Sequence, residues 1–288
     1  MTNTCYFAGR IMPMKPPKIS IITPSYNQGK FLEQTIQSVL SQNYPNLEYI
    51  IIDGGSSDNS LEIIKKYERY LSYWVCEQDS GQTEAINKGL KRATGDIVAW
   101  INSDDLYLPG VFKIVTEHFQ KHPQTEMIYG DAEIIDENGT FLFHKKEISY
   151  DKIMGICFGF GLIISQPTTF WKRTVFGKIG YLNETLQYDM DGDFWSRMAF
   201  QCQIEHIQYL IAQARYHKEA KTVKNFSHRG NLHLEESIRE HINSYQQLII
   251  SRVLPFRLFQ RLAYIYRIKR VLIRLFKGHY FDGYGQRI

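Results

Sequence analysis

The stretch DIVAWINSDDLYLPG, residues 96–110, decides how the chain is read. Ile97 to Ile101 are apolar without interruption, as in a strand buried on both faces. The run ends on Asn102-Ser103-Asp104-Asp105, and Pro109-Gly110 signals a turn. Two adjacent carboxylates at the end of a buried strand repel each other and call for something to offset that charge. Their residue type and spacing leave two readings open. One is a divalent cation on hard oxygen ligands, completed by a substrate phosphate. The other is an Asx turn or helix cap ahead of LYLPGVFKIVTEHF.

Upstream, strands and helices alternate. KISIITPSYN (18–27) reads as a strand entering a turn, and KFLEQTIQSVLSQ (30–42) carries a helical apolar stripe. LEYIIIDGGSSDNS (47–60) is a second strand, ending at Asp53 and a glycine turn. A helix near 60–70, a short strand YWVCE and a helix in GQTEAINKGLKRATG lead back to residue 96. This order predicts βαβ units and an α/β fold with a mostly parallel sheet. Ligands of such sheets bind at the carboxyl ends of the strands. Three polar clusters are expected there: Thr23 to Asn27, Asp53 to Asp58, and Asn102 to Asp105. Gln82, Asn87 and Lys88 are expected at the same edge, with Asp79 and Gln82 forming a capping box.

Beyond residue 125 the pattern changes. EMIYGDAEIIDENGTFLFHKK predicts two strands joined at Asn138-Gly139. A glycine-rich segment (155–161) leads to QPTTFWKR, and MDGDFWSRMAFQC is helical. Residues 215–231 read as a basic loop, and two long helical patterns follow, split near Pro255. His144, His206 and the other scattered histidines read as surface or loop residues.

The 288 residues carry a net charge of +4, which is too mild for a nucleic-acid binder. Cys5, Cys76, Cys157 and Cys202 show neither disulfide nor zinc spacing and read as reduced thiols of a cytoplasmic protein. The N-terminus lacks a signal-peptide core, and the longest apolar stretch, IMGICFGFGLII, is shorter than the roughly 20 residues of a membrane span. A soluble or peripheral protein is expected. There is no P-loop and no GxGxxG, which disfavours Walker ATPases and dinucleotide dehydrogenases.

ISIITPSYNQGKFLEQTIQSVLSQNYPNLEYIIIDGGSSDNS and GQTEAINKGLKRATGDIVAWINSDDLYLPG resemble the family-2 inverting glycosyltransferases. The resemblance continues through GYLNETLQYDMDGDFWSRMA and RYHKEAKT, over about residues 17–225. It implies a GT-A fold: a Rossmann-like, mostly parallel sheet flanked by helices, here with a C-terminal helical extension. The implied boundaries are a tail (1–17), a GT-A domain (18–230, nucleotide half about 18–125 and acceptor half about 126–230) and a basic helical extension (231–288).

The resemblance also implies roles. Pro24, Tyr26 and Asn27 line the nucleotide pocket, and Asp53 contacts base or ribose. Gln82 and Lys88 lie beside the diphosphate or donor sugar. Asn102-Ser103-Asp104 stands in for the family's DxD motif. Asp104, with Asp105 close by and His217, binds manganese or magnesium. Asp191 is the catalytic base, with Asp193 as alternative. The donor is a nucleotide-diphosphate sugar, UDP-sugar foremost, and the acceptor a saccharide or lipid-linked saccharide of cell-surface glycan assembly.

The sequence departs from the family pattern at Asn102, where the motif has aspartate, and at Met190, where it has glutamate. It also lacks QxxRW, against a processive synthase. A non-catalytic nucleotide-sugar-binding module stays open because of Met190. A nucleotidyltransferase is disfavoured by the single glycine of TPSYNQGK. Trp195 or Trp171 could stack on the acceptor, and Met190, Phe194 and Trp195 could desolvate Asp191. Residues 252–278 hold eight basic residues and no acid, with leucines and isoleucines at helical spacing. That pattern predicts docking on an anionic membrane face, unless the apolar stripe packs on the domain.

Overall fold

The computed structural model describes residues 4–7, 10–13, 16–150, 164–186 and 188–221, with positions 240, 255, 257–258, 261, 265, 268–269, 272–273 and 275–276. The glycine-rich segment 155–161 and most of the C-terminal helical patterns lie outside the described residues. The expected N-terminal tail contains an antiparallel ladder of β1 (Thr4–Phe7) and β2 (Arg10–Pro13).

The alternation read from the sequence is present. β3 (Ile19–Ser25), α1 (Leu32–Leu40), β4 (Leu47–Asp53), α2 (Ser60–Tyr67), β5 (Tyr73–Cys76), α3 (Gln82–Arg92) and β6 (Ile97–Trp100) follow in order. All seven residues of β3 are buried, as a central strand requires. β3 pairs in parallel with β4 and β6, and β4 with β5. Pro24 lies past Ile22–Trp100, the last β3–β6 pair, so its missing N–H breaks no bond to β6. α3 approaches β3 closely at Gly89, where a Cβ would stand 2.5 Å from Ile22 Cγ2.

After β7 (Leu106–Tyr107) and α4 (Val111–Lys121), the chain forms β8 (Met127–Ile135) and β9 (Phe141–Lys145), then β10 (Thr169–Lys172), α5 (Phe176–Ile179), α6 (Met190–Gln201) and β11 (Ile204–Arg215). β8 and β9 are antiparallel, with Gly139 at φ +87° in the turn between them. β10 is antiparallel to both β6 and β8, and β11 runs parallel to β8. Two reversals restore direction, so β3, β4, β5, β6, β8 and β11 all point the same way. Among the described residues the sheet order is β5-β4-β3-β6-β10-β8-β11-β7, with β9 beside β8.

An aromatic cluster fills the space under β6 and β10. Trp100 stacks on Trp195 at 5.4 Å and 6°, and Trp171 meets both edge-on. Trp171 is 0% and Trp195 4% exposed. The expectation that either ring stacks on an acceptor sugar is therefore corrected: both rings belong to the core. His206 is likewise no surface residue, because its ring is buried in β11, 2.9 Å from Asp131.

At the edge where the strands begin, Glu48 joins three elements. It accepts hydrogen bonds from Lys18 Nζ, Ser20 Oγ, Thr94 N and Thr94 Oγ1. Burial pushes its carboxyl up, but these bonds outweigh burial and bring the pKa down to about 2. A depressed carboxylate stabilises the fold above its unfolded value of about 4.3, and the contribution is lost as pH falls towards 2. Glu48→Gln is expected to cost on the order of 1–3 kcal/mol at neutral pH, and the gap to wild type should close between about pH 4.3 and 2. Urea unfolding at several pH values checks this; a pH-independent gap contradicts it.

Candidate active site at the carboxyl edge of the sheet

Past Trp100 the chain turns tightly, and Asp105 N donates to Asn102 O. Gln82 Nε2, from the first residue of α3, donates to Asn102 Oδ1 at 2.9 Å. This corrects the capping box. Gly81 precedes the helix, Asp79 Oδ1 accepts from Gly81 N, and Glu84 accepts from Ser80 N and Oγ. Gln82 is thereby free of the cap and bonds the strand end instead.

The two aspartates part company. Asp104 Oδ2 lies 2.9 Å from His217 Nε2, a residue 113 positions later, and the His217 side chain is only 2% exposed. The ring also packs against Phe31. Asp105 turns inward, accepting from Arg215 N at 2.9 Å and from Asn102 Nδ2 at 3.4 Å. Burial raises its pKa well above the usual carboxylate range, and Asp104 adds to the rise.

Arg215 is buried beside the pair. Its Nε donates to Asp104 O, its Nη1 to Asp136 O and Glu137 O, and its Nη2 to Gln34 Oε1. Its guanidinium lies over the Phe31 ring, 4.9 Å from the centroid. Sequence reasoning missed Arg215, although it stands two residues before His217 in the quoted RYHKEAKT. The signal was available: a lone pair of carboxylates at a buried strand end needs a buried cation.

On the β3–β4 side, Asn27 adopts a left-handed backbone with φ 52°, a conformation asparagine tolerates. Its N–H donates to Ser56 Oγ, and its Oδ1 accepts from Ser57 N. Asp53 is fully buried and accepts from Gly55 N, Ser56 N and Ser56 Oγ, with the Cys76 thiol 3.1 Å away. It holds the glycine turn in shape. Tyr26 is 63% exposed beside this turn, an open aromatic face at the edge. Lys88 sits between Glu77 at 3.0 Å and Glu84 at 2.9 Å. Asn87 does not face the edge as expected. Its Nδ2 donates to Leu182 O and Glu184 Oε1, tying α3 to the loop before α6.

α6 separates the two candidate bases. Asp193 is 2% exposed, and its Oδ2 is taken by Arg197 Nε and Nη2 at 2.9 and 2.8 Å. Arg197 also donates to Ile179 O and Tyr181 O, which anchors the pair. Asp191, half-buried, accepts from Gly192 N. Burial raises its pKa, against smaller opposing effects of Gly192 N–H, Lys145 and Lys221. Met190, at the position of the absent glutamate, is buried and takes a contact from Thr83 Oγ1 at 2.8 Å.

Asp104 and His217 offer an oxygen and a nitrogen donor close enough to share one divalent cation, the carboxylate being the donor that suits manganese or magnesium. Among the described residues no third His, Cys, Asp or Glu completes a cluster there. No described helix is long and apolar enough to cross a membrane.

Known proteins share this plan. S. aureus TarS 1–349, solved in complex with UDP-GlcNAc, superposes with a TM-score of 0.62 over 81% of this chain and 67% of that 1–349 chain, at 20% identity. That likeness establishes the GT-A arrangement of the sheet. An uncharacterized glycosyltransferase of Rickettsia bellii (strain RML369-C) is 28% identical over 226 residues, covering 74% of this chain and 32% of that protein. The poly-beta-1,6-N-acetyl-D-glucosamine synthase of Staphylococcus epidermidis is 27% identical over 197 residues, covering 65% of this chain and 47% of the synthase. The chain thus spans less than half the length of these two relatives. The model of glycosyl transferase family 2 matches residues 20–180, more than half of the chain, and includes β3 to β6, the Asn102–Asp105 turn and α3. On that match, and on a sheet edge built as described, the chain belongs to glycosyl transferase family 2.

Proposed function

We propose that the chain is a divalent-metal-dependent inverting glycosyltransferase. It moves a sugar from a nucleotide-diphosphate sugar, UDP-sugar foremost, to a hydroxyl of a saccharide or lipid-linked saccharide in cell-surface polysaccharide assembly. The observation that carries this reading is the Asp104–His217 contact of 2.9 Å at the carboxyl edge of the parallel strands. The S. aureus TarS complex with UDP-GlcNAc and the S. epidermidis synthase support a nucleotide-sugar donor and a polysaccharide context.

Asp104 and His217 are the residues to hold manganese or magnesium. Bound there, the ion acts as a Lewis acid towards the donor's diphosphate. Asp105 is the structural partner of the pair, since its carboxylate bonds Arg215 N and Asn102. Tyr26 and the Asn27–Ser57 turn form the nucleotide side, with Pro24 and Asp53 beneath them. Gln82, Asn102 and Ser103 shape the wall next to the diphosphate, and Lys88 reaches it only by leaving Glu77 or Glu84. The nucleotide half is about 18–125 and the acceptor half about 126–230. Asp191 takes the acceptor hydroxyl's proton as the oxygen bonds to the anomeric carbon and the carbon–phosphate-oxygen bond breaks. One base suffices for a single inverting displacement. The raised pKa of Asp191 and the bonding of Asp193 to Arg197 both favour Asp191.

UDP titrated by calorimetry should bind with manganese and lose most of its affinity in chelator. Asp104→Asn should weaken that binding far more than Ser103→Ala. Equal UDP affinity with and without metal contradicts the assignment.

Asp191→Asn should lower kcat by about 10² to 10⁴ while leaving donor affinity nearly unchanged. In the wild type, kcat should fall as pH drops through the raised pKa, because a protonated base is inactive. Full turnover in Asp191→Asn contradicts the role. Asp193→Asn cannot decide it, since that change also unties Arg197.

The C-terminal segment is proposed to dock on an anionic membrane face through 252–278. Leu258, Ile265, Ile268, Leu272, Leu275 and Phe276 are all exposed. At helical spacing they fall on one face roughly 100° wide. Arg257, Arg261 and Lys269 are exposed with them. Each cation near an anionic surface contributes about 1 kcal/mol. The protein should float with anionic liposomes at low salt, and deletion of 252–288 should abolish flotation. Flotation unchanged by the deletion, or absent in the full chain, removes the segment as an anchor.

A further inference from the structure

At the other end of β11 three side chains of metal-ligand type converge, and they have no part in the proposed transfer. We propose that His118, His122 and Glu205 form a zinc-class divalent metal site that clamps the end of α4 to the start of β11.

His118 lies in the last turn of α4, and His122 follows the helix, its N–H donating to His118 O at 2.9 Å. The i,i+4 spacing puts both imidazoles on one face, where side chains four apart are neighbours. Their rings stack with centroids 4.3 Å apart and planes within 8°. Both aim a nitrogen at one carboxylate oxygen. His118 Nε2 is 2.8 Å and His122 Nδ1 3.7 Å from Glu205 Oε2. The three donor atoms all lie within 4.8 Å of one another, and among the described residues no other His, Cys, Asp or Glu group does so.

The carboxylate is held in place. Thr125 Oγ1 donates to Glu205 Oε1 at 2.7 Å, and Thr125 N donates to His122 O. This is the arrangement expected around a metal ligand, where an outer hydrogen bond fixes a carboxylate's orientation. The His122 side chain is 51% and that of Glu205 40% exposed, so an ion reaches the donors without opening the fold.

The donor set selects the metal class. Two imidazoles and one carboxylate suit zinc, with water in a fourth position, whereas magnesium and calcium prefer all-oxygen shells. Glu205 pairs with Ile128 and Arg215 with Ile135, so seven strand steps, roughly 23 Å, separate the two ends of β11. The site therefore lies at the opposite sheet edge from Asp104 and His217 and cannot reach the same ligand. It ties elements that are far apart in sequence, so the expected consequence is local stability.

The test is zinc calorimetry on the metal-stripped full chain with magnesium in excess. A zinc ion is expected to bind in the wild type and in His217→Gln. Its affinity should fall at least about 10-fold in His122→Gln and in Glu205→Gln. Both changed residues are substantially exposed, and circular dichroism without zinc checks that the variants fold. Cobalt added in place of zinc should give visible ligand-field bands in the wild type and in His217→Gln, and none in His122→Gln. Zinc should also raise the wild-type melting temperature more than that of His122→Gln. Zinc binding unaffected by His122→Gln and Glu205→Gln overturns the proposal, as does zinc binding lost only in His217→Gln.

Discussion

The buried guanidinium of Arg215 holds the functional edge together. Two adjacent aspartates end a buried strand, and both would destabilise it without a cation nearby. Arg215 supplies one, and it is also a multiple donor. Its backbone N–H bonds Asp105, its Nε the Asp104 carbonyl, and its remaining nitrogens the β8–β9 turn and Gln34. Removing the Arg215 side chain would leave the part-buried carbonyl oxygens of Asp104, Asp136 and Glu137 without its donors, which is destabilising. The side chain that solves the electrostatic problem therefore also sets the geometry of the turn.

That solution depends on strand direction. β10 enters the sheet reversed, between β6 and β8. Two antiparallel steps return β8 and then β11 to the direction of β6, so the end of β11 arrives at the edge where β6 ends. Arg215 and His217 are two residues apart, and they reach Asp105 and Asp104 respectively. Had β11 run the other way, its basic end would lie beside His118, at the opposite edge.

The carboxylates of this edge show how alike residues acquire unlike roles. Asp53 shapes a turn, Asp105 secures β11, and Asp193 is taken by Arg197. Asp104 meets a buried imidazole, and Asp191 is desolvated on α6. Nothing in the five side chains themselves distinguishes them. Partner and burial do, because a carboxylate's proton affinity is set by desolvation and by neighbouring donors and charges.

Much of this was legible in the sequence, for physical reasons. The alternating strands and helices from 18 to 100 follow from apolar periodicity, which local chain geometry imposes. The clustering of Asn27, Asp53 and Asp104 at one edge follows from parallel strands sharing a direction. The resemblance carried by 18–60 and 81–110 pointed to the same family as the comparison with known proteins. What stayed hidden was decided by contacts between distant residues. The core position of Trp171 and Trp195, the binding of Asn87 to the 182–184 loop, the replacement of the Asp79–Gln82 cap and the burial of His206 all depend on what the fold brings alongside. So does the cluster of His118, His122 and Glu205. Local sequence sets which face of an element is apolar; only the tertiary structure decides which neighbour covers that face and which charge lies within bonding distance.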